Sequence, residues 1–296
     1  MTQSKAVYTY YFQTLRTKFS FPELNETQVL ENGGKNVGNF PLQSVSTLTL
    51  KNSNDLNNKV NLLVFQPVLS AEDRQALLYV FQTFVRACSK FNVTFFLYSG
   101  TLIGSLRHHD IIPWDDDIDV LLNTTDRPLL HQALSSVGSD FSLIGAKKKR
   151  WKFFWTKPKT LLDKPFRWPF IDIFFFSENA THIYDEEPVY QKDFSYYKHH
   201  VFPLCLRPFA GSLLPVPRNT TAVVHRNYSP DDCSSPGFSH KLEKRTPKKL
   251  RATVHCKELY GLYPFVHRET INGKVYEHLM INNTQVGTFI VPEHCG

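Results

Sequence analysis

The stretch 98-YSGTLIGSLRHHDIIPWDDDIDVLL-122 is the key to the fold, because four aspartates within five positions, Asp115, Asp116, Asp117 and Asp119, run straight into a hydrophobic strand. Aspartate is a poor strand former, and like charges this close repel unless something positive sits among them. Alternate side chains of a strand share a face, so Asp117 and Asp119 point one way while Ile118 and Val120 point into the core. Two carboxylates about 7 Å apart along an extended chain can share a hard cation. Asp172 repeats the pattern within 170-FIDIFFF-176, flanked by Ile171 and Ile173. If the two strands are neighbours, the carboxylates of Asp117, Asp119 and Asp172 converge as metal ligands. An all-oxygen set suits Mg²⁺ or Mn²⁺. A calcium loop is excluded: Asp115, Asp117 and Asp119 match its first ligands, but Val120 stands where Gly is required and Asp126 where Glu is expected.

Upstream, 93-VTFFLY-98 is β-branched and aromatic and reads as a strand, and 101-TLIGSLRHH-109 as a short helix. Ser99-Gly100 separates them. A glycine there lets backbone N–H groups approach a ligand, and a helix N-terminus favours an anion. Ser99, Gly100 and Thr101 are therefore the candidate phosphate cradle, with a metal bridging the phosphate to Asp117 and Asp119. Arg107, on the same helix, can offset phosphate charge.

Further out, Ser70 and Asp73 form a capping-box pattern ahead of a helix to about Lys90, carried by Leu77, Phe81, Phe84, Val85 and Cys88. A second helix is predicted over 127–137, with Pro128 tolerated in its first turn, and a hairpin over 141–155. Short strands around turns are expected over 201–219, whereas 257–269 and 274–283 are ambiguous from sequence. Residues 1–65 read as an irregular arm, 66–245 as the principal domain and 246–296 as a C-terminal extension.

The 296 residues carry a net charge of +7, with 42% hydrophobic and 14% aromatic content, enough for a substantial core and too apolar for disorder. The basic runs 147-KKKR-150 and 241-KLEKRTPKKLR-251 match no nucleic-acid module and read as solvated surface, so no nucleic-acid partner is expected. Seven N-x-[ST] sequons occur, at Asn25, Asn92, Asn123, Asn179, Asn219, Asn227 and Asn282. Composition alone would give about two or three, so a glycosylated, lumenal history is expected. Cys88 reads as a buried free thiol. Cys205, Cys233, Cys256 and Cys295 can form two disulfides in an oxidising compartment, in a pairing the sequence leaves open. No apolar leader or membrane span occurs in the sequence. The expectation is a lumenal protein whose N-terminal membrane anchor is absent from this sequence.

The string from Tyr98 to Val120 closely resembles the signature of the LicD family, which includes fukutin and fukutin-related protein, within the nucleotidyltransferase superfamily. Ser99-Gly100, Asp117/Asp119 and Asp172 look like that superfamily's turn, D-x-D strand and third acidic residue. The segment 202–219 is similar to the family's downstream stretch, whereas 227-NYSPDDCSSPGFSH-240 departs from its Tyr-Gly form. The resemblance implies an α+β fold, a nucleotidyltransferase-like mixed β-sheet flanked by helices, with an irregular, loop-rich C-terminal portion. It implies transfer of a phospho-alcohol, phosphocholine or ribitol phosphate in type, from a CDP-activated donor to the hydroxyl of a glycan or glycoprotein acceptor. Asp172 would be the third metal ligand or the base, and Asp115 a fallback base. It also implies the secretory lumen, the Golgi in particular. The rival readings are a sugar-nucleotide glycosyltransferase using D-x-D with Mn²⁺, and a catalytically inactive relative acting as a binding partner.

Overall fold

The computed structural model describes residues 62–145, 149–159, 161 and 163–295. The expected arm up to residue 61, the sequon at Asn25, and Lys147 and Lys148 of the first basic run lie outside the described residues. The predicted first helix is α1, Ala71–Phe91. Asp73 N–H donates to Ser70 Oγ at 3.1 Å and Ser70 N–H to Asp73 Oδ2 at 3.0 Å, a completed capping box. Its apolar stripe is buried, including Leu77, Phe81, Phe84 and Cys88, and Cys88 is a free thiol.

Next come β1, Phe95–Leu97, α2, Ser99–His108, and β2, Ile118–Asn123. They are followed by α3, Arg127–Ser135, β3, Phe141–Ile144, β4, Trp151–Trp155, and β5, Phe170–Glu178. Two edge strands, β6, His182–Asp185, and β7, Ser195–Tyr197, complete a seven-stranded sheet with the main order β1-β2-β5-β4-β3. The pair β2–β5 is parallel and the other pairs are antiparallel, so the sheet is mixed. A central strand in such a sheet is covered on both faces, which accounts for the run of β5 buried from Phe170 to Phe176, apolar except for Asp172. Helix α1 packs on α3, β4 and β5, whereas α2 packs against β2. The fold is α+β.

A single-turn helix α4, Lys198–Val201, leads to the hairpin β8, Cys205–Phe209, and β9, Ser212–Val216, and then to α5, Thr220–Asn227. Four short strands follow, β10, Asp232–Ser234, β11, Phe238–Ser239, β12, Lys244–Arg245, and β13, Thr253–His255, pairing β10 with β13 and β11 with β12. The two C-terminal segments that are ambiguous in sequence are strands of one antiparallel meander: β14, Phe265–Ile271, β15, Lys274–Ile281, and β16, Thr284–Ile290. Their exposed, partly charged faces, as in the β14 residues His267–Ile271, remove the alternation that marks a strand.

Residues of the expected C-terminal extension contribute to the main core, with Leu259, Tyr263 and Phe265 in the same buried cluster as Phe81 and Phe95. Glu277 of β15 is fully buried and accepts from Arg207 of β8 at 2.6 Å, Arg268 of β14 at 2.8 Å and His109, just past α2, at 2.9 Å. Disulfides join Cys205 to Cys295 and Cys233 to Cys256, which settles the pairing. Among the described residues no helix is long and apolar enough to cross a membrane.

Candidate active site

The parallel register of β2 and β5 sets Asp119 directly beside Asp172. Asp117 is the residue before β2, and oxygens of Asp117, Asp119 and Asp172 lie within 4.8 Å of one another, closer than the spacing along one strand. All three are buried. Burial and the neighbouring Asp119 charge push the Asp117 carboxyl up to about 8, and burial with Asp172 pushes Asp119 up to about 7. Carboxylates so arranged repel in the absence of a positive partner. An oxygen-only set at this spacing could hold a hard divalent cation such as Mg²⁺ or Mn²⁺.

Asp117 and Asp119 line a cavity of about 610 Å³ together with Ser99, Gly100, Arg107 and Asp115. The turn between β1 and α2 is conformationally costly: Ser99 opens the helix with φ at +49°. Gly100 follows because a Cβ there would lie 2.9 Å from Asp115 Oδ2. Both residues therefore bring the N-terminus of α2 to the cavity wall. Thr101 is not a cavity-lining residue; its hydroxyl accepts from Asp119 N–H at 2.8 Å and so holds the D-x-D strand against α2. Arg107 lines the cavity, yet it is buried and its Nη1 donates to Asp232 O at 3.1 Å and lies 3.3–3.4 Å from the sulfurs of Cys233 and Cys256. It braces the disulfide that backs the opposite wall. Asp115 is raised well above the usual carboxylate range by burial and by the charges of Asp117 and Asp116.

Residues that sequence reasoning missed complete the site. Asp116 points to the loop after β11: Ser239 Oγ at 2.8 Å and the N–H groups of His240 and Lys241 at 3.0 Å all donate to its carboxylate. Burial opposes ionisation there, but those bonds and the one from the His240 ring hold Asp116 below its usual range. The loop so pinned sets His240 Nδ1 3.2 Å from Asp117 Oδ2. Burial disfavours the imidazolium, yet Asp116, Asp117 and Asp119 together raise His240 well above its ordinary value. Tyr228, at the end of α5, lines the cavity and shares a 2.8 Å hydrogen bond with Ser99 Oγ. Lys152 of β4 lies opposite Asp172 and donates to both its oxygens, at 2.8 and 2.9 Å. A signal for Lys152 did exist: it is a lone cation in the apolar 151-WKFFW-155, as Asp172 is a lone anion in its own strand. His240 and Asp116 offered none, being 124 positions apart.

Residues 92–219 match the family described as LicD/FKTN/FKRP, nucleotidyltransferase domain, and that span holds the strained turn, the D-x-D strand and Asp172. Over that span the chain is similar to the LicD family. Its relatives include the lipopolysaccharide cholinephosphotransferase LicD of Haemophilus influenzae, 40% identical over 52 residues, covering 18% of this chain and 20% of that protein. Ribitol 5-phosphate transferase FKRP of human and mouse is 27% identical over 154 residues, covering 49% of this chain and 30% of that protein. The chain thus spans less than a third of the length of these relatives. The LicD-family match ends at Asn219, before Tyr228, His240 and the Cys233–Cys256 bridge, so one wall of the cavity lies outside the matched span.

Proposed function

We propose that this LicD-like domain transfers a phospho-alcohol from a CDP-activated donor to a glycan hydroxyl, with a divalent cation at the aspartate cluster. The observation that carries the reading is the β2–β5 register, which packs Asp172 behind Asp119 and Asp117, the two carboxylates at the wall of a cavity of about 610 Å³. The names of the two transferase relatives support the reaction class.

The bound cation would supply charge neutralisation on the donor diphosphate. The N–H groups of Ser99 and Gly100 at the head of α2 receive a phosphate oxygen, oriented by the helix N-terminus. The Tyr228 hydroxyl, fixed by Ser99, lies in reach of the same oxygens. His240 adds positive charge beside Asp117. The acceptor oxygen bonds to the donor's terminal phosphorus, the bond from that phosphorus to the CMP oxygen breaks, and CMP leaves. The acceptor proton passes to a carboxylate that lines the cavity, Asp115. The two disulfides and the surplus of sequons support an oxidising, secretory setting such as the Golgi lumen.

The test is incubation with CDP-choline and CDP-ribitol in Mg²⁺, reading CMP release. Asp117→Asn should abolish release while circular dichroism stays native; normal turnover by that variant defeats the assignment. Binding of UDP with Mn²⁺ in place of CDP with Mg²⁺ would favour the glycosyltransferase reading, and binding of neither nucleotide an inactive relative.

A further inference from the structure

Asp117 and Asp119 line the cavity, whereas Asp172, 2% exposed, does not. Both Asp172 oxygens are already taken by one ammonium, Lys152 Nζ, at 2.8 and 2.9 Å. Strand register makes this arrangement obligatory: Asp119 of β2 is opposite Asp172 of β5, which is opposite Lys152 of β4, three residues in one row across three strands. Lys152 is not a mobile surface cation. Its side chain is 13% exposed, and its ammonium sits 3.5 Å from the centre of the Phe170 ring and 4.9 Å from that of Phe166, where cation–π attraction holds it. Arg150 Nε adds a second positive group 3.9 Å from Asp172. A divalent ion bound to an Asp172 oxygen would have to crowd or displace that ammonium, and like charges at such a distance repel strongly in a buried setting.

We infer that Lys152 is a positioning residue that keeps Asp172 out of the ion's coordination shell, so that Asp117 and Asp119 are the carboxylates of this trio that hold the cation. This rests on the reading of the site as a divalent-cation centre given above. Two carboxylates balance a divalent charge without excess. The ion then takes its remaining oxygens from water and the donor diphosphate, the mode Mg²⁺ favours at phosphate sites. The functional consequence is that cation and nucleotide load together: the resting site is weak, and the diphosphate completes it. Asp172 acts at one remove, as the anion that fixes Lys152 and closes the charge balance of the row.

The test is titration of the intact chain with Mn²⁺, followed by the loss of the free-ion paramagnetic resonance signal, with and without CDP. CDP should tighten Mn²⁺ binding by about tenfold or more, since it adds anionic oxygens to the shell. Lys152→Met frees Asp172 to become a third ligand, so nucleotide-free binding should tighten by about tenfold or more. Lys152→Met/Asp172→Asn removes both charges at near-constant shape, a replacement buried ion pairs tolerate, and should bind Mn²⁺ within about threefold of the unaltered chain. Unchanged or weaker binding by Lys152→Met overturns the inference. So does a loss of about tenfold or more in the double variant, because it marks Asp172 as a ligand. Should the single variant fail to fold, the double variant alone decides. Failure of the unaltered chain to bind Mn²⁺ in either condition overturns the proposed function as well, whereas a loss confined to the double variant overturns this inference only.

Discussion

Asp117→Asn should stabilise the metal-free chain, because the site holds Asp117 at a folding cost. Its carboxyl is raised from 3.8 to about 8 by burial and then by Asp119. At pH 7 the unfolded chain has this group ionised and the folded chain has it largely protonated. The folded form therefore binds more protons, and stability falls as the pH rises from about 4 through 8. Carrying the group from its ordinary range up to pH 7 corresponds to about 4 kcal/mol at about 1.4 kcal/mol per pH unit. Asparagine escapes that term but gives up the 3.2 Å contact with His240. A charge-assisted bond of this kind is worth about 1.5–3 kcal/mol, which leaves a net gain of about 1–3 kcal/mol. For a chain of this size each kcal/mol moves Tm by about 2–4 °C, so the expected rise is about 2–12 °C. The assay is thermal denaturation in EDTA at pH 7 and pH 4.5, on the unaltered chain and on the variant. The rise should appear at pH 7 and vanish or reverse at pH 4.5, where the cost of the lost His240 contact remains. Added Mn²⁺ should then raise the Tm of the unaltered chain and not that of the variant. A variant that melts at or below the unaltered Tm at pH 7 would refute the claim that these carboxylates are held together against their own repulsion.

Asp116→Ala removes the acceptor for Ser239, His240 and Lys241 and should cost about 2–4 kcal/mol in urea denaturation, with CDP binding weakened because the His240 loop is released. Glu277→Gln strips the charge from a carboxylate that Arg207, Arg268 and His109 surround, and should cost about 3–5 kcal/mol. The bonds and charges around Glu277 hold its carboxyl down to about 2 despite burial, so its stabilisation is present above pH 4.5 and lost as the pH falls from there through about 2. A urea series over that range should show the unaltered chain converging on the variant. In a secretory host the exposed sequons at Asn92, Asn179 and Asn282 should carry glycan and Asn227 should not, by peptide mass spectrometry. The Asn227 amide donates to Asp193 O and accepts from the Tyr196 hydroxyl, both at 2.6 Å, on the cavity wall.

The resemblance of 98–122 to a known signature, the capping box at Ser70 and the helical stripe from Leu77 to Cys88 were all readable along the chain, because each is a local pattern of a few turns. So was the reach of Asp172 toward the D-x-D pair, since a lone aspartate within an apolar strand is costly to bury unless a positive group meets it. The C-terminal meander was not, because most of β14 is exposed and a core position of β15 is filled by the charged Glu277, which hides the apolar alternation. The disulfide pairing was open for the same kind of reason: four cysteines in sequence permit several pairings, and only the fold brings Cys205 to Cys295 and Cys233 to Cys256.

The order of residues along the chain specified the groups proposed for the chemistry: carboxylates at fixed spacing, a glycine turn before them, and a third acid in a later strand. Folding in three dimensions chose what stands next to each of those charges. Lys152 closes on Asp172 through strand register, and Asp116 turns away from the cavity to pin a loop more than a hundred residues downstream. Local preference follows periodicity along the chain, whereas the state of a buried carboxylate follows the few ångströms around it, and those are occupied by residues from distant parts of the sequence.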